Sequence, residues 1–185
     1  MSRPVAEPLA WNVAALMAEA PGSTRDYVVA GAMIDLGDLL QGDPIEGAVH
    51  LARTNRGLLV NANLTTSLET ECSRCLRAIE VPLDIRIEEE AIPSVDLGTG
   101  QPVNVAADPD VLRLTPHHEL ELEATVREAI QLAEPIAPLC EPDCPGLCPV
   151  CGERMTGGPH HHAVDEIDPR LEALRSFRAP GSDED

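Results

Sequence analysis

Three close cysteine pairs constrain this chain more than any other feature of its sequence. The pairs have two, three and two intervening residues, and they are Cys72 and Cys75, Cys140 and Cys144, and Cys148 and Cys151. A short turn between two cysteines lets both sulfurs reach one tetrahedral ion, so this spacing predicts zinc. The alternatives are a redox pair or inert buried thiols. A redox CxxC is expected to open a helix in a βαβ unit, and neither CxxC has that context.

The number of candidate ligands indicates more than one ion, because six cysteines exceed one tetrahedral site by two. His160, His161 and His162 follow Cys151 after a short interval. Two of these histidines could complete a small Cys2His2 site with Cys148 and Cys151. The alternative, a histidine cluster that is merely solvated, stays open at this point. The prediction is therefore one zinc ion, with a second ion allowed.

The charge balance excludes several classes of function. The chain has 185 residues, 13 Arg, no Lys and 32 acidic residues, which give a formal net charge of −19. This charge argues against electrostatic coating of DNA or RNA. An aromatic content of 2% argues against recognition by base stacking. A hydrophobic content of 43% suffices for an aliphatic core, but no apolar run reaches the roughly 18 residues of a membrane span.

The N-terminal segment, residues 1–24, is predicted to be a short amphipathic helix and not a signal peptide. One positive charge, Arg3, and then Glu7 precede the apolar stretch from Leu9 to Ala18, which Asn12 interrupts. We therefore expect a cytoplasmic protein. In that compartment six cysteines point to metal or redox chemistry and not to a disulfide framework.

Alternating apolar residues predict an antiparallel β-meander over residues 46–92, with the first CxxC at one of its turns. The predicted strands are 27–30, 47–54, 58–70 and 81–87. The last of these has Val81, Leu83, Ile85 and Ile87 at strict period two, which is typical of a half-buried strand. A turn is predicted between the second and third strands because Asn55-Arg56-Gly57 interrupts the pattern.

Beyond the meander, apolar residues spaced by three and four predict one amphipathic helix from Leu122 to Ala133, which ends before Pro135. Thr115-Pro116 is interpreted as a helix entrance, and Asp168-Pro169 is interpreted as the start of a second, short helix. Residues 93–110 are predicted to be a loose acidic connection. The segment from Pro135 is predicted to be extended because it is rich in proline.

The expected fold class is α+β: an antiparallel β-meander, open or partly closed into a barrel, with one packed helix and a cysteine-rich, zinc-binding C-terminal segment. The predicted organisation has four parts. They are a helical segment at 1–24, an α+β core domain at 25–145, a small zinc-knuckle appendage at 146–178, and a disordered acidic tail at 179–185. The strand order and the oligomeric state are left open by the sequence.

Four motifs stand in order along the chain: Glu71 to Leu76 (ECSRCL), Pro135 to Cys140 (PIAPLC), Gly146 to Gly152 (GLCPVCG) and Asp168 to Leu171 (DPRL). As an ordered set they resemble the YceD family of bacteria and plastids, which is linked to accumulation of the large-subunit (23S) ribosomal RNA. The resemblance covers residues 25–178. Each motif alone would be a weak signal.

The resemblance implies a first zinc site, because many family members combine a CxRC turn with a later C-x3-C pair. In this chain the corresponding ligands are Cys72, Cys75, Cys140 and Cys144.

The resemblance also implies a second site, because many members have CPxCG followed by a CxC shortly before DPR. Cys148 and Cys151 match the first pair, and His160 and His162 stand where the CxC would be. Imidazole nitrogen replaces thiolate without difficulty in a tetrahedral zinc site.

The function implied by the resemblance is a non-enzymatic, zinc-binding factor in large ribosomal subunit biogenesis, which supports synthesis, processing or stability of 23S rRNA. The expected partners are a large-subunit precursor, its 23S rRNA or a basic ribosomal protein, without membrane or DNA. The alternative is an acidic zinc-binding adaptor or chaperone for a basic protein, without RNA contact. A zinc hydrolase or thiol oxidoreductase is not expected, because the ligands form closed sets and the chain has no HExxH motif or glycine-rich phosphate loop.

The segment 53–86 is the one long stretch that is not acidic, with five arginines against four carboxylates. If these arginines share a face, they form a local patch for phosphate, which Arg can bind through two donors. The alternative is that they cover the sheet edge and pair with neighbouring glutamates. The candidate RNA-binding residues are Arg53, Arg56, Arg74, Arg77 and Arg86.

Overall fold

The computed structural model describes residues 9–36, 41–103, 111–155, 162, 170, 171 and 174. The elements in chain order are β1 (Ala10–Asn12), α1 (Ala14–Ala18), β2 (Thr24–Ala32), β3 (Gln41–Gly42), β4 (Ile45–Arg53), β5 (Leu58–Glu71), β6 (Ala78–Pro93), β7 (Arg113–Leu114), β8 (Glu119–Glu121) and α2 (Glu123–Ala133).

The main sheet has the order β2-β4-β5-β6-β7, and β3 adds to β5 beside β4. The β2-β4, β4-β5 and β5-β6 ladders are antiparallel, whereas β6 and β7 are parallel. The predicted meander over residues 46–92 is therefore confirmed, with the first CxxC in its β5-β6 turn. A partly closed barrel is not: within the described ranges the sheet ends at β2 on one side and at β7 on the other.

The period-two pattern places one face of this sheet in the core. On β5 the buried residues include Val60, Ala62 and Leu64, and on β6 they include Ile85 and Ile87. Leu64 lies directly opposite Ile85, and Ala62 lies opposite Ile87. Because successive side chains alternate between faces, the opposite face of these strands carries mostly polar residues, with Leu59 as an exposed exception.

Helix α2 is confirmed almost residue for residue, and it buries Val126 and Ile130 against the sheet. The interpretation of Thr115-Pro116 as its entrance is wrong. A tight turn forms there instead, with Thr115 N–H donating to the carbonyl oxygen of Glu119 at 2.9 Å. The turn reverses the chain so that Leu120 on β8 enters the core and β8 pairs with β1.

The predicted helix over residues 1–24 is corrected to a shorter one. Residues 14–18 are helical, whereas residues 10–12 form β1, with Trp11 directly opposite Leu120 of β8. The Trp11 ring packs on Tyr27, with the ring centroids 5.2 Å apart. Tertiary pairing thus overrides the local helical pattern here. Residues 1–8 lie outside the described residues.

Near the C-terminus, the predicted helix start at Asp168-Pro169 and the tail 179–185 also lie outside the described residues. The division into parts at 25–145 and 146–178 stays a prediction. Of the loose connection 93–110, residues 93–103 are described, and they contain the isolated bridge between Val95 and Pro102. No helix in the described part of the chain is long and apolar enough to cross a membrane.

Candidate metal centres

The β5-β6 turn presents the first cysteine pair. Cys72 N–H donates to the carbonyl oxygen of Arg77 at 2.8 Å, which closes the hairpin. Inside this turn, Leu76 N–H donates to the carbonyl oxygen of Cys72 at 2.9 Å. These bonds fold the turn back so that the sulfurs of Cys72 and Cys75 both point inward, where the two residues are almost fully buried.

The proline-rich segment after α2 brings the second pair to this turn. Ser73 N–H donates to the carbonyl oxygen of Pro138 at 2.8 Å, and the Arg74 guanidinium donates to that of Cys144 at 3.0 Å. The Cys72 and Cys144 sulfurs are then 3.8 Å apart, and the Cys75 and Cys140 sulfurs are 3.7 Å apart.

This cluster has the geometry of a tetrahedral thiolate site. The four sulfurs all lie within 4.8 Å of one another. Four sulfurs at about 2.3 Å from a central zinc would be about 3.8 Å apart. The observed separations are far longer than the roughly 2.05 Å of a disulfide bond, and all four cysteines are free thiols. The residues present can therefore hold a metal ion.

The surroundings shift the pKa values of three thiols in this cluster, and not all in the same direction. Backbone N–H groups of Cys75, Arg74 and Cys140 lower the pKa of Cys72 to about 6. Burial raises the pKa of Cys140, and it raises that of Cys144 to about 12. A divalent cation would favour the thiolate form of all four residues, because metal coordination deprotonates thiols.

A second cluster is formed by His162 and two cysteines of a small hairpin at residues 146–155, the second hairpin. The sulfur atoms of Cys148 and Cys151 and one ring nitrogen of His162 lie within 4.8 Å of one another, with 3.2 Å between Cys148 Sγ and His162 Nε2. Backbone N–H groups of Cys151 and Val150 lower the pKa of the Cys148 thiol to about 6. Three of the four predicted ligands are thus brought together, and the fourth, His160, lies outside the described residues.

The five predicted RNA-binding arginines do not form one patch. Arg53 and Arg56 lie at the β4-β5 turn, whereas Arg74 and Arg77 lie at the β5-β6 turn. These turns are at opposite ends of β5, whose 14 residues span about 45 Å. Arg86 lies on the exposed face of β6, between the two turns.

The arginines at the β4-β5 turn have partners within the fold. Arg53 is half-buried and donates to the carbonyl oxygens of Met17 and Gly57 at 3.1 and 3.0 Å, and also to that of Thr54. Arg56 pairs with Glu90 on β6. Binding of RNA by any of the five arginines stays a prediction.

Sequence reasoning missed Arg154, which lies three residues after Cys151. Its guanidinium donates to the carbonyl oxygens of Cys75 and Leu76 at 2.9 and 2.8 Å, so that it joins the second hairpin to the first turn. The sequence did hold one signal that the first turn needs support. Leu76 follows Cys75 at the position where a glycine, Gly152, follows Cys151.

Together, the open sheet and the two clusters define an α+β protein that can hold metal ions at its cysteine-rich end. The family model described as "Large ribosomal RNA subunit accumulation protein YceD" matches residues 60–178, and the chain belongs to this family. The resemblance seen in the four motifs is thereby confirmed.

Mycobacterial proteins are among the relatives of this chain. Uncharacterized proteins of Mycobacterium tuberculosis and Mycobacterium bovis are each 30% identical to it over 188 residues, covering 98% of this chain and 86% of each relative. An uncharacterized protein of Mycobacterium leprae is 29% identical over 140 residues, covering 75% of this chain and 61% of the relative. The comparison with solved structures found no match.

Proposed function

We propose that this protein is a non-enzymatic, zinc-binding factor of the cytoplasm that supports accumulation of 23S rRNA during large ribosomal subunit biogenesis. The observation that carries the proposal is the extent of the family match. Residues 60–178 include β6, nearly all of β5 and all six cysteines. The matched region therefore contains the whole cysteine-rich end and the two long strands that support it, together with β7, β8 and α2.

Zinc is the proposed ion because of the donor set. Four thiolates, or two thiolates with imidazole, suit zinc better than the hard cations, which prefer oxygen ligands. Elemental analysis of protein purified without chelator or affinity metal tests this. One or two zinc ions per chain are expected, and a chain without zinc or another thiophilic metal would contradict the assignment.

A structural role for the metal is proposed because four sulfurs complete a tetrahedral set. Catalytic zinc keeps one coordination position for water or substrate, and the first cluster leaves none. The role of the ion would then be to fasten the segment around residues 138–144 to the β5-β6 turn. Such binding contributes directly to folding free energy.

The ribosomal role is tested by depleting the protein in its native host and measuring the ratio of 23S to 16S rRNA. The ratio is expected to fall and to be restored by the wild-type chain but not by C72S/C75S. Ser73→Ala serves as the matched control, since it changes the same exposed turn without removing a ligand. An unchanged ratio after depletion would contradict the proposal.

A second candidate, an acidic adaptor for a basic protein, is favoured by the outer face of the sheet. Exposed carboxylates there come from three strands: Asp26 on β2, Glu46 on β4, and Asp84 and Glu88 on β6. Arg86 is an exposed cation among them. A surface with this charge would attract a basic partner.

The two candidates differ in their need for RNA. Capture of a basic ribosomal protein from a nuclease-treated extract would favour the adaptor, whereas binding that is lost with the RNA would favour the first proposal. The variant D84N/E88Q should weaken capture only if this outer face is the contact.

A further inference from the structure

The second hairpin, residues 146–155, is held by few contacts among its own residues. Its backbone is closed by Cys148 N–H donating to the carbonyl oxygen of Glu153 at 2.7 Å, and by Met155 N–H donating to that of Gly146 at 3.0 Å. Val150 at its tip is exposed, and Leu147 is only partly buried. A short two-stranded hairpin without an apolar face is marginal in water, so other contacts must fix it.

Arg154 connects this hairpin directly to the β5-β6 turn, and Arg74 holds the residue that lies two positions before the hairpin. Arg154 reaches from the hairpin to the carbonyl oxygens of Cys75 and Leu76, at 2.9 and 2.8 Å. Arg74 reaches back from the β5-β6 turn to the carbonyl oxygen of Cys144, at 3.0 Å. A Cβ on Gly146 would lie 3.2 Å from the carbonyl oxygen of Arg74, so the two backbones pass close together.

Leu76, whose carbonyl oxygen accepts a hydrogen bond from Arg154, has an unfavourable backbone conformation. Leu76 has a φ of +54°, a left-handed conformation that is unfavourable for a side chain with a Cβ. It lies directly after the ligand Cys75, so any relaxation of its backbone would move that ligand. The two hydrogen bonds from one guanidinium fork hold both carbonyls at once.

We propose that Arg154 couples the two metal centres, so that metal bound by the hairpin cluster slows the loss of metal from the four-cysteine cluster. An ion on Cys148, Cys151 and His162 orders the hairpin and fixes the segment that leads from Cys151 to Arg154. Arg154 then holds the Cys75-Leu76 backbone in the conformation that binds the first ion. Linkage applies to the equilibrium part of this coupling: the factor by which metal in the second cluster raises the affinity of the first is the factor by which metal in the first raises the affinity of the second.

The inference rests on the proposed binding of metal at both clusters, but it does not depend on a ribosomal role. It is tested on the full chain loaded with zinc, by adding excess chelator and following zinc release with a colorimetric indicator. The variant C148S/C151S removes the second site, so its remaining release phase belongs to the first site. Circular dichroism checks that each variant keeps the sheet.

The test compares wild type, R154A, C148S/C151S and the triple variant R154A/C148S/C151S, with two further variants for comparison. Release from the first site is expected to be at least about tenfold faster in R154A, because a single hydrogen bond from a charged donor is already worth about that factor. C148S/C151S should show a similar acceleration, and the triple variant should be no faster than either.

Two further variants serve as comparisons. The release rate of R154K, which has a single ammonium group, should lie between those of wild type and R154A. Arg86→Ala, at an exposed arginine on β6, should release zinc like wild type.

The possible failures are distinguishable. Wild-type release from R154A, or effects of R154A and C148S/C151S that multiply in the triple variant, would overturn the coupling and leave metal binding intact. A wild-type chain that holds no zinc would overturn the proposed metal binding, and the coupling with it.

Discussion

Leu76 and Gly152 occupy the same position in two matching turns. The N–H of each donates to the carbonyl oxygen of the first cysteine of its pair, at 2.9 Å in both turns. Both residues have positive φ, +54° for Leu76 and +75° for Gly152. Glycine adopts this conformation at little cost, whereas leucine does not. The first turn is therefore strained where the second is not, and Arg154 contacts the strained residue.

Replacing Leu76 with glycine should relieve this strain. We expect Leu76→Gly to stabilise the zinc-loaded protein by about 0.5 kcal/mol, because the relief of the left-handed conformation exceeds the added entropy of the unfolded chain. Urea unfolding measures the change. Leu76→Ala is the matched control, since it shortens the same exposed side chain but keeps a Cβ; if both variants were equally stable, strain at Leu76 would be contradicted.

Gly57 in the β4-β5 turn should not tolerate a side chain. A Cβ there would lie 2.1 Å from the carbonyl oxygen of Ala91, which is backbone and cannot move aside cheaply. Gly57→Ala is expected to cost about 2 kcal/mol or more of unfolding free energy, in the range of overpacking defects. Gly98→Ala provides the comparison, because its Cβ would meet only a side-chain oxygen of Asp96, at 3.5 Å. A Gly57→Ala protein as stable as Gly98→Ala would refute the close approach.

Glu89 should destabilise the fold as the pH rises. Burial and the nearby Glu128 raise the pKa of this carboxyl. Because the folded-state pKa lies above the unfolded-state pKa, the folded protein favours the protonated carboxyl. The loss of unfolding free energy caused by ionising Glu89 is therefore absent below the unfolded-state pKa and grows as the pH rises through the folded-state pKa. Glu89→Gln should therefore raise the urea midpoint at pH 7 and have a smaller effect at pH 5. The exposed neighbour variant Glu88→Gln controls for net charge, and equal gains from both variants would count against a local cause.

Loss of a buried cysteine ligand should affect zinc content and stability together. Cys72→Ser is expected to lower both the zinc bound per chain and the melting temperature, because metal binding contributes to folding free energy. Ser73→Ala in the same turn should change neither. Unchanged zinc and melting in Cys72→Ser would show that Cys72 is not a ligand.

The elements that the sequence predicted well are those whose pattern repeats. The alternation through β5 and β6 spans enough residues to fix both strands and their inner faces, and the spacing of Val126 and Ile130 fixed α2. β1 and β8 were missed because three-residue strands carry no measurable period. Their pairing, Trp11 opposite Leu120, joins residues more than 100 positions apart.

The sequence predicted which cysteines lie together but not the contacts that support them. Cysteine spacing identified the three pairs, and the structure brings two of them into one cluster. The spatial arrangement of the five arginines could not be predicted, because it depends on which ends of β5 the two turns occupy. Four of the five arginines lie at the two ends of β5, about 45 Å apart, and Arg86 lies between them. Arg154, which is not one of the five, contacts the first turn.

The most direct test of the central claim is sedimentation of the native protein in a sucrose gradient of cell lysate, at low and moderate salt. The proposed role in large-subunit biogenesis predicts that the protein migrates with large-subunit precursors and moves to the top of the gradient after RNase treatment. A protein that stays at the top under every condition would contradict direct association with those precursors.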